Sequence, residues 1–266
     1  MRLPTLSLCW CIGLLTAVHA YTVPSNLASF YSKLAAQEQC NHTLKSGFGN
    51  GDTDYPTSAD ERRSLRTNPP PDDWSYCETD NMLYIHHNGG GLASMAIDVD
   101  GKRPKGDNPQ DSQDGTAFEG ILKRYNVSGV TDLDPYIHPY VVFGNQGTKK
   151  GYTTFHPRMY DIQPLSVMAV VCADKLIFGI WGDTNGDDDW PSIDSVGEAS
   201  QAVGSACFGN AVNASYGHAR DDVLFLAFKG AEAVPGPRGA RWAATSYEEF
   251  ETSIAGLGNR LLAQAG

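Results

Sequence analysis

The sequence predicts a β-rich α+β fold: a single domain with a mixed or barrel-like sheet as its core and helices near both ends of the chain. Three observations lead there. Six apolar runs of strand length are bounded by turn residues, and 28 Gly and 15 Pro in 266 residues supply many turns. Helical periodicity is confined to a few short stretches, chiefly toward the termini. No internal repeat or low-complexity linker divides the chain.

The first twenty residues have the pattern of a secretory signal: Arg2, an apolar stretch from Leu6 to Val18, and a small-residue cleavage site at Val18-His19-Ala20. The expected organisation is a signal at 1–20 and one catalytic domain at 21–266, secreted and extracellular. Ser25 to Gln37 follows as a helix, with Leu27, Phe30, Tyr31 and Leu34 on one face. Phe48 to Asp73 reads as a surface loop around Gly49-Asn50-Gly51 and Pro69-Pro70-Pro71. Met82 to His86 and Met95 to Val99 are strands, with a hairpin turn expected at Asn88-Gly89-Gly90-Gly91. Asp107 to Gly115 is an acidic loop. Thr116-Ala117-Phe118-Glu119 matches a capping box before a short helix. Tyr140 to Phe143 is a strand, and Ser166 to Cys172 pairs with Leu176 to Gly182 as a buried hairpin through Ala173-Asp174-Lys175. A strand at Asp222 to Phe228 and a C-terminal helix capped at Ser246 complete the order. Gly256 and Gly258 weaken that helix.

Composition narrows the class. With 41% hydrophobic and 19% charged residues the chain can bury a core, so disorder throughout is excluded. Beyond the signal no run approaches the length of a membrane span. Loss of Arg2 with the signal leaves 19 basic against 31 acidic residues, a net charge of −12. Such a surface repels nucleic acid and attracts cations, although solubility alone is the commoner reason for it. Cys9 and Cys11 leave with the signal. Of the three pairings open to Cys40, Cys77, Cys172 and Cys207, Cys40–Cys77 and Cys172–Cys207 are favoured, because each closes a modest loop. Without a C-x-x-C spacing no zinc site is expected. Sequons stand at Asn41, Asn126 and Asn213.

The chemistry concentrates between Phe178 and Ser200. An apolar strand delivers Gly179-Ile180-Trp181-Gly182 and then Asp183-Thr184-Asn185-Gly186. An Asp-rich loop follows, then Gly197-Glu198-Ala199-Ser200. An acid at the mouth of a buried strand and a second acid one loop later supply the pair that glycosidic cleavage needs: one carboxyl to protonate the leaving oxygen, one carboxylate to activate water or attack the sugar.

These two segments resemble the signature of fungal chitosanases of glycoside hydrolase family 75. So do Asp132-Leu133-Asp134 leading into Ile137-His138-Pro139-Tyr140-Val141-Val142-Phe143-Gly144-Asn145, the run from Gln163 to Cys172, Gly217-His218 with Asp222-Val223-Leu224-Phe225, and Ala233-Val234-Pro235-Gly236. The ordered set spans nearly the whole mature chain. The resemblance implies Asp183 and Glu198 as essential carboxylates, endo-hydrolysis of chitosan with inversion, and no metal or other cofactor. Two departures stand out. The loop between the acids is longer here, adding Asp187, Asp188, Asp189, Trp190 and Asp194, and Val99 stands where some relatives carry a cysteine.

Several expectations follow. The lower reference pKa of Asp makes Asp183 the base and Glu198 the acid. Chitosan is a polycation, so Asp187 and Asp188 beside the reaction centre are candidate anionic subsites. Trp181, Trp190 and Tyr216 offer ring faces to sugars, although Trp181 is also a core candidate. Asn185 and His218 complete the candidate binding set, His218 as a group orienting a carboxylate near Asp222. Asp98 and Asp100 are either substrate anchors or turn-makers before Gly101. Asp183, Asn185, Asp187 and Asp194 fall at the first, third, fifth and twelfth places of a calcium loop, but position six is Asp188 rather than Gly, the twelfth is Asp rather than Glu, and a strand leads in. No G-x-S-x-G or H-E-x-x-H pattern occurs, and His138 reads as a packed, hydrogen-bonded histidine. The chain is expected to act as a monomer on chitosan, with no nucleic-acid or membrane partner. The competing class is a non-catalytic secreted polysaccharide-binding protein of the cell wall. At the level of fold alone, the run from Asp134 to Asp183 is similar to six-stranded barrels, double-psi types included, that carry an acid at a strand end.

Overall fold

The computed structural model of the chain describes residues 20–50, 74–102, 115–186 and 195–265. The signal core, the Gly- and Pro-rich stretch at 51–73, the acidic loop at 103–114 and the aspartate-rich loop at 187–194 lie outside these residues.

Eleven strands form one mixed sheet: β1 (Tyr21–Thr22), β2 (Thr43–Asn50), β3 (Trp74–Glu78), β4 (Met82–His87), β5 (Ala93–Asp98), β6 (Tyr140–Asn145), β7 (Val167–Cys172), β8 (Lys175–Asn185), β9 (Ser195–Val196), β10 (Glu198–Ser200) and β11 (His218–Phe228). The helices are α1 (Ser25–Ala35), α2 (Glu119–Tyr125), α3 (Gln201–Phe208), the single turn α4 (Gly236–Gly239) and α5 (Tyr247–Ala265). The sheet runs β1-β8-β6-β10-β5-β11-β4-β3-β2-β9, and β7 pairs with both β8 and β11. Those last pairings bend β8, β6, β10, β5, β11 and β7 into a partial ring. It stays partial because β10 has three residues and the β5–β11 ladder is interrupted between His218 and Val223. A mixed sheet with helices toward both termini is therefore what forms, and it is not a regular closed barrel. Among the described residues no helix is long and apolar enough to cross a membrane.

The β7–β8 hairpin forms where the sequence places it. Cys172 faces Lys175, and the two turn residues, Ala173 and Asp174, have φ of 46° and 60°. Positive φ at both positions matches the twist of the flanking strands, which is why two-residue hairpins favour it. The paired runs Val167 to Cys172 and Leu176 to Trp181 are apolar and buried on both faces. The hairpin expected at Asn88–Gly91 does not form. β4 and β5 do not pair with each other; each pairs antiparallel with β11, β4 at Leu226–Phe228 and β5 at His218–Val223. Runs adjacent in sequence thus take as common partner a strand more than a hundred residues later, a non-local choice.

α5 packs on β7 and β8, and α3 on β5, β8 and β10. Gly258 lets α5 approach β8 closely: a Cβ there would lie 2.3 Å from Cδ1 of Phe178. The glycine that weakens the isolated helix is what lets it seat. Ser246 caps α5 through its Oγ, which accepts from Glu249 N at 3.2 Å, while the Glu249 carboxylate turns outward to Thr245 and Arg241. The disulfides are Cys40–Cys77 and Cys172–Cys207, with Cα separations of 6.3 and 5.6 Å, as favoured from loop length. The three sequon asparagines are all exposed.

Candidate active site

Asp183 and Glu198 flank one strand, β6. Val142 of β6 is opposite Asp183 on β8 and opposite Glu198 on β10. Residues directly opposite in a ladder share a face, and two strand spacings of about 4.8 Å bound the Cα separation at about 10 Å. Gly182 sets this alignment. Trp181 pairs with Val141 and Asp183 with Val142, so Gly182 is an extra residue on β8 that re-aims the acid. Any side chain at Gly182 would collide with Tyr140, the Cβ falling 2.5 Å from that of Tyr140.

Asp183 is 6% exposed, whereas Glu198, the first residue of β10, is only partly buried. Asp183 Oδ1 accepts from the Thr184 N–H at 2.7 Å and from the Ala117 N–H at 2.9 Å. The second donor comes from a segment that the capping-box reading assigned elsewhere. Thr116 does not cap α2 with its hydroxyl. It donates Oγ1 to Asp132 at 2.6 Å, and its N–H goes to the other oxygen of Asp132 at 2.9 Å. Phe118 becomes the residue before the helix, with no side-chain cap. Buried Asp132 thus clamps Thr116, and the clamp leaves Ala117 N–H pointing at Asp183. A turn at Gly101 closes on the same place: φ is +110°, and a Cβ would lie 2.3 Å from the Leu133 carbonyl oxygen.

Asp98 and Asp100 are the structure's addition to the pair. Carboxylate oxygens of Asp98, Asp100 and Asp183 lie within 4.8 Å of one another, and all three residues are buried. On a flat sheet β5 and β8, three strands apart, would be about 14 Å apart. The curl of the ring brings them together. Asp98 Oδ1 accepts the Asp100 N–H at 2.8 Å, and the Tyr140 hydroxyl donates to the Asp100 carbonyl at 2.9 Å beside the Asp98 side chain. Burial first, and the Asp98 charge second, hold the Asp183 carboxyl well above the usual range, against the two N–H bonds that favour its anion. The donors at hand are amides and a phenol, groups that serve carboxylate oxygens; three acids alone do not define a cation site. Of the calcium-loop positions, Asp183 is committed to this cluster and Asn185 donates its amide to Ser195 O at 3.0 Å. Asp187 and Asp194 lie outside the described residues.

The remaining candidates divide. Trp181 is fully buried, edge-to-face with Phe118, and its Nε1–H donates to the Asp183 carbonyl at 2.8 Å. It offers no ring face to a sugar; the apolar strand that delivers Asp183 needs that volume inside. Asn185 ties Ser195, as does Asn145 from β6 at 2.8 Å, so together they anchor the return of the loop between the two acids. His218 is opposite Met95, whose neighbour Ala96 is opposite Glu198. Successive residues alternate faces, so His218 points away from the carboxylates, where its ring stacks on Phe208 of α3 and Nε2 meets Asp222 at 2.6 Å. It does orient a carboxylate, on the other side of the sheet. Tyr216 is 56% exposed on the turn before β11. Asp187, Asp188, Asp189 and Trp190 are outside the described residues. His138 is buried, accepting the Asp134 N–H at Nδ1 and meeting the Trp242 carbonyl at 3.0 Å through Nε2. Sequence reading missed Asp132 and Thr116 as supports, because a threonine before a helix has a local explanation and its partner sits 16 residues away.

The family described as fungal chitosanase of glycosyl hydrolase group 75 matches residues 95–264, a span that holds Asp98, Asp100, Asp132, Asp183 and Glu198. An endo-chitosanase of Aspergillus oryzae is 39% identical over 259 residues, and one of Aspergillus fumigatus is 38% identical over 257; each alignment covers 95% of both chains. Endo-chitosanase B of Aspergillus oryzae is 36% identical over the same share. With the family match covering more than half of the sequence and these relatives aligned nearly end to end, the chain belongs to the fungal chitosanases of glycosyl hydrolase group 75.

Proposed function

We propose that this protein is a secreted endo-chitosanase that hydrolyses β-1,4 bonds of chitosan by single displacement, with Asp183 as general acid and Glu198 as general base. The observation that carries the proposal is the unequal setting of two acids on one face, a strand apart. Asp183 is dry and crowded by like charge, so its neutral, proton-holding form is favoured. Glu198, the first residue of β10, is only partly buried. Burial and like charge thereby favour Asp183 for the acid role, although aspartate has the lower reference pKa.

In the reaction Asp183 gives its proton to the bridging oxygen as the bond from that oxygen to the anomeric carbon breaks. A water oxygen adds to the anomeric carbon from the opposite side and passes its proton to Glu198. One water is consumed, one chain ends in a new hydroxyl and the other in a hemiacetal of inverted configuration. Exchange with solvent returns the proton to Asp183 and removes it from Glu198. A Cα separation of up to about 10 Å is compatible with the gap of about 6.5–9.5 Å between carboxyls that inversion requires.

The ring and the helices that pack on it from both termini argue for one catalytic domain from Tyr21 onward. Two disulfides and three exposed sequon asparagines support export. The surplus of acidic residues favours a cationic polymer over nucleic acid. The test is reducing-sugar release from chitosan. Asp183→Asn and Glu198→Gln are each expected to lose at least about 1000-fold in kcat while melting within a few degrees of wild type. The first product seen by proton NMR is expected to be the α-anomer. Full turnover by either variant removes that residue from the mechanism, and an initial β-anomer rules out single displacement.

A further inference from the structure

We propose that Asp98 is a positioning residue for the hydrolysis, a fixed carboxylate at the end of β5 that keeps the transferable proton on Asp183. The inference rests on the reading of Asp183 as general acid, and it adds a residue that reading does not need.

The geometry is specific. Asp98 ends β5, opposite Ser200, and is 8% exposed. Its Oδ1 takes the Asp100 N–H, so the side chain is tied to its own turn rather than free to swing away. Its carboxylate lies within 4.8 Å of that of Asp183. The groups that face Asp183 come from four elements: Asp98 and Asp100 from β5 and its turn, Tyr140 from β6, the Thr184 N–H from β8, and the Ala117 N–H ahead of α2, with Asp132 behind it. The charges acting most strongly on Asp183 are both negative, Asp98 and then Asp132. Two carboxylates this close in a dry site resist ionising together, which favours the protonated form of Asp183.

Asp98 takes no part in bond making. When Asp183 hands its proton to the leaving oxygen, the pair becomes two adjacent anions, the state of highest energy for the cluster. Rebinding of a solvent proton relieves it. An enzyme with Asp98 holds the acid ready at a pH where an ordinary aspartate would be ionised.

The test is the pH dependence of kcat for Asp98→Asn in the full-length secreted protein, on a soluble glucosamine hexamer, expressed as a ratio to wild type so that titration of the substrate amines cancels. The alkaline limb is expected to fall by about two pH units, the effect of removing one charge about 5 Å away at an effective dielectric near 20. Asp98→Glu, which restores the charge, is expected to bring the limb back most of the way. If Asp98→Asn does not fold, carboxyl carbon-13 NMR of wild-type protein gives the same answer, with Asp98 and Asp183 titrating in two well-separated steps. An alkaline limb unmoved in Asp98→Asn, or a single common step for both carboxyls, overturns the inference. Asp183→Asn separates the two proposals: if it is inactive while the Asp98→Asn limb stays put, only the role of Asp98 fails, and if it is fully active the catalytic reading itself fails.

Discussion

Glu251 gives the sharpest quantitative expectation for stability. It lies on α5, 2% exposed, with Oε1 accepting the Phe178 N–H of β8 at 3.0 Å. Burial pushes its carboxyl from 4.5 up to about 7, despite that hydrogen bond. The folded protein therefore binds this proton more tightly than the unfolded chain does. Its stabilising contribution is complete below pH 4.5 and is lost as pH rises through about 7. At about 1.36 kcal/mol per pH unit, the gap is about 3 kcal/mol. Glu251→Gln keeps an acceptor for Phe178 and never ionises. Near pH 4.5 it should melt close to wild type. At pH 8 it should be the more stable protein by about 3 kcal/mol, or about 6–12 °C for a chain of this size. Paired melting curves of variant and wild type from pH 4 to 8 read this difference directly, because every other titrating group is common to both. A difference that stays flat across the range, or that turns against the variant at high pH, would refute the assignment of a buried, proton-holding Glu251.

Two further predictions concern the clamp and the helix seat. Thr116→Val removes the 2.6 Å bond to Asp132 while keeping the side-chain shape. It should cost about 1–3 kcal/mol and, by loosening the Ala117 N–H on Asp183, lower kcat about 10- to 100-fold with a smaller change in KM. A loss of stability with kcat intact would separate the clamp from the chemistry. Gly258→Ala sets two effects against each other. Helix propensity gains about 1 kcal/mol, and the clash with the Phe178 ring, 2.3 Å from the new Cβ, costs about 1–3 kcal/mol. The clash should win, lowering the urea midpoint at unchanged m; a higher midpoint would mean that α5 shifts freely on β8.

Local chemistry carried much of this protein in plain view. The β7–β8 hairpin follows from two apolar runs around Ala173-Asp174, the terminal helices from periodicity and the Ser246 cap, and the disulfides from loop length. Asp183 and Glu198 could be singled out because an acid at the mouth of an apolar strand is conspicuous in one dimension. What the sequence could not contain is which distant strand lies beside which. β11 as the common partner of β4 and β5 is one such choice. The curl that brings Asp98 of β5 onto Asp183 of β8 is another, and so is Asp132 drawing Thr116 out of a cap. Each depends on closing long loops to bury apolar surface, a cost and a gain set by the whole chain. Whether the Asp183 carboxyl is wet or dry, and hence whether it holds a proton, is a property of that closure and not of any residue in it.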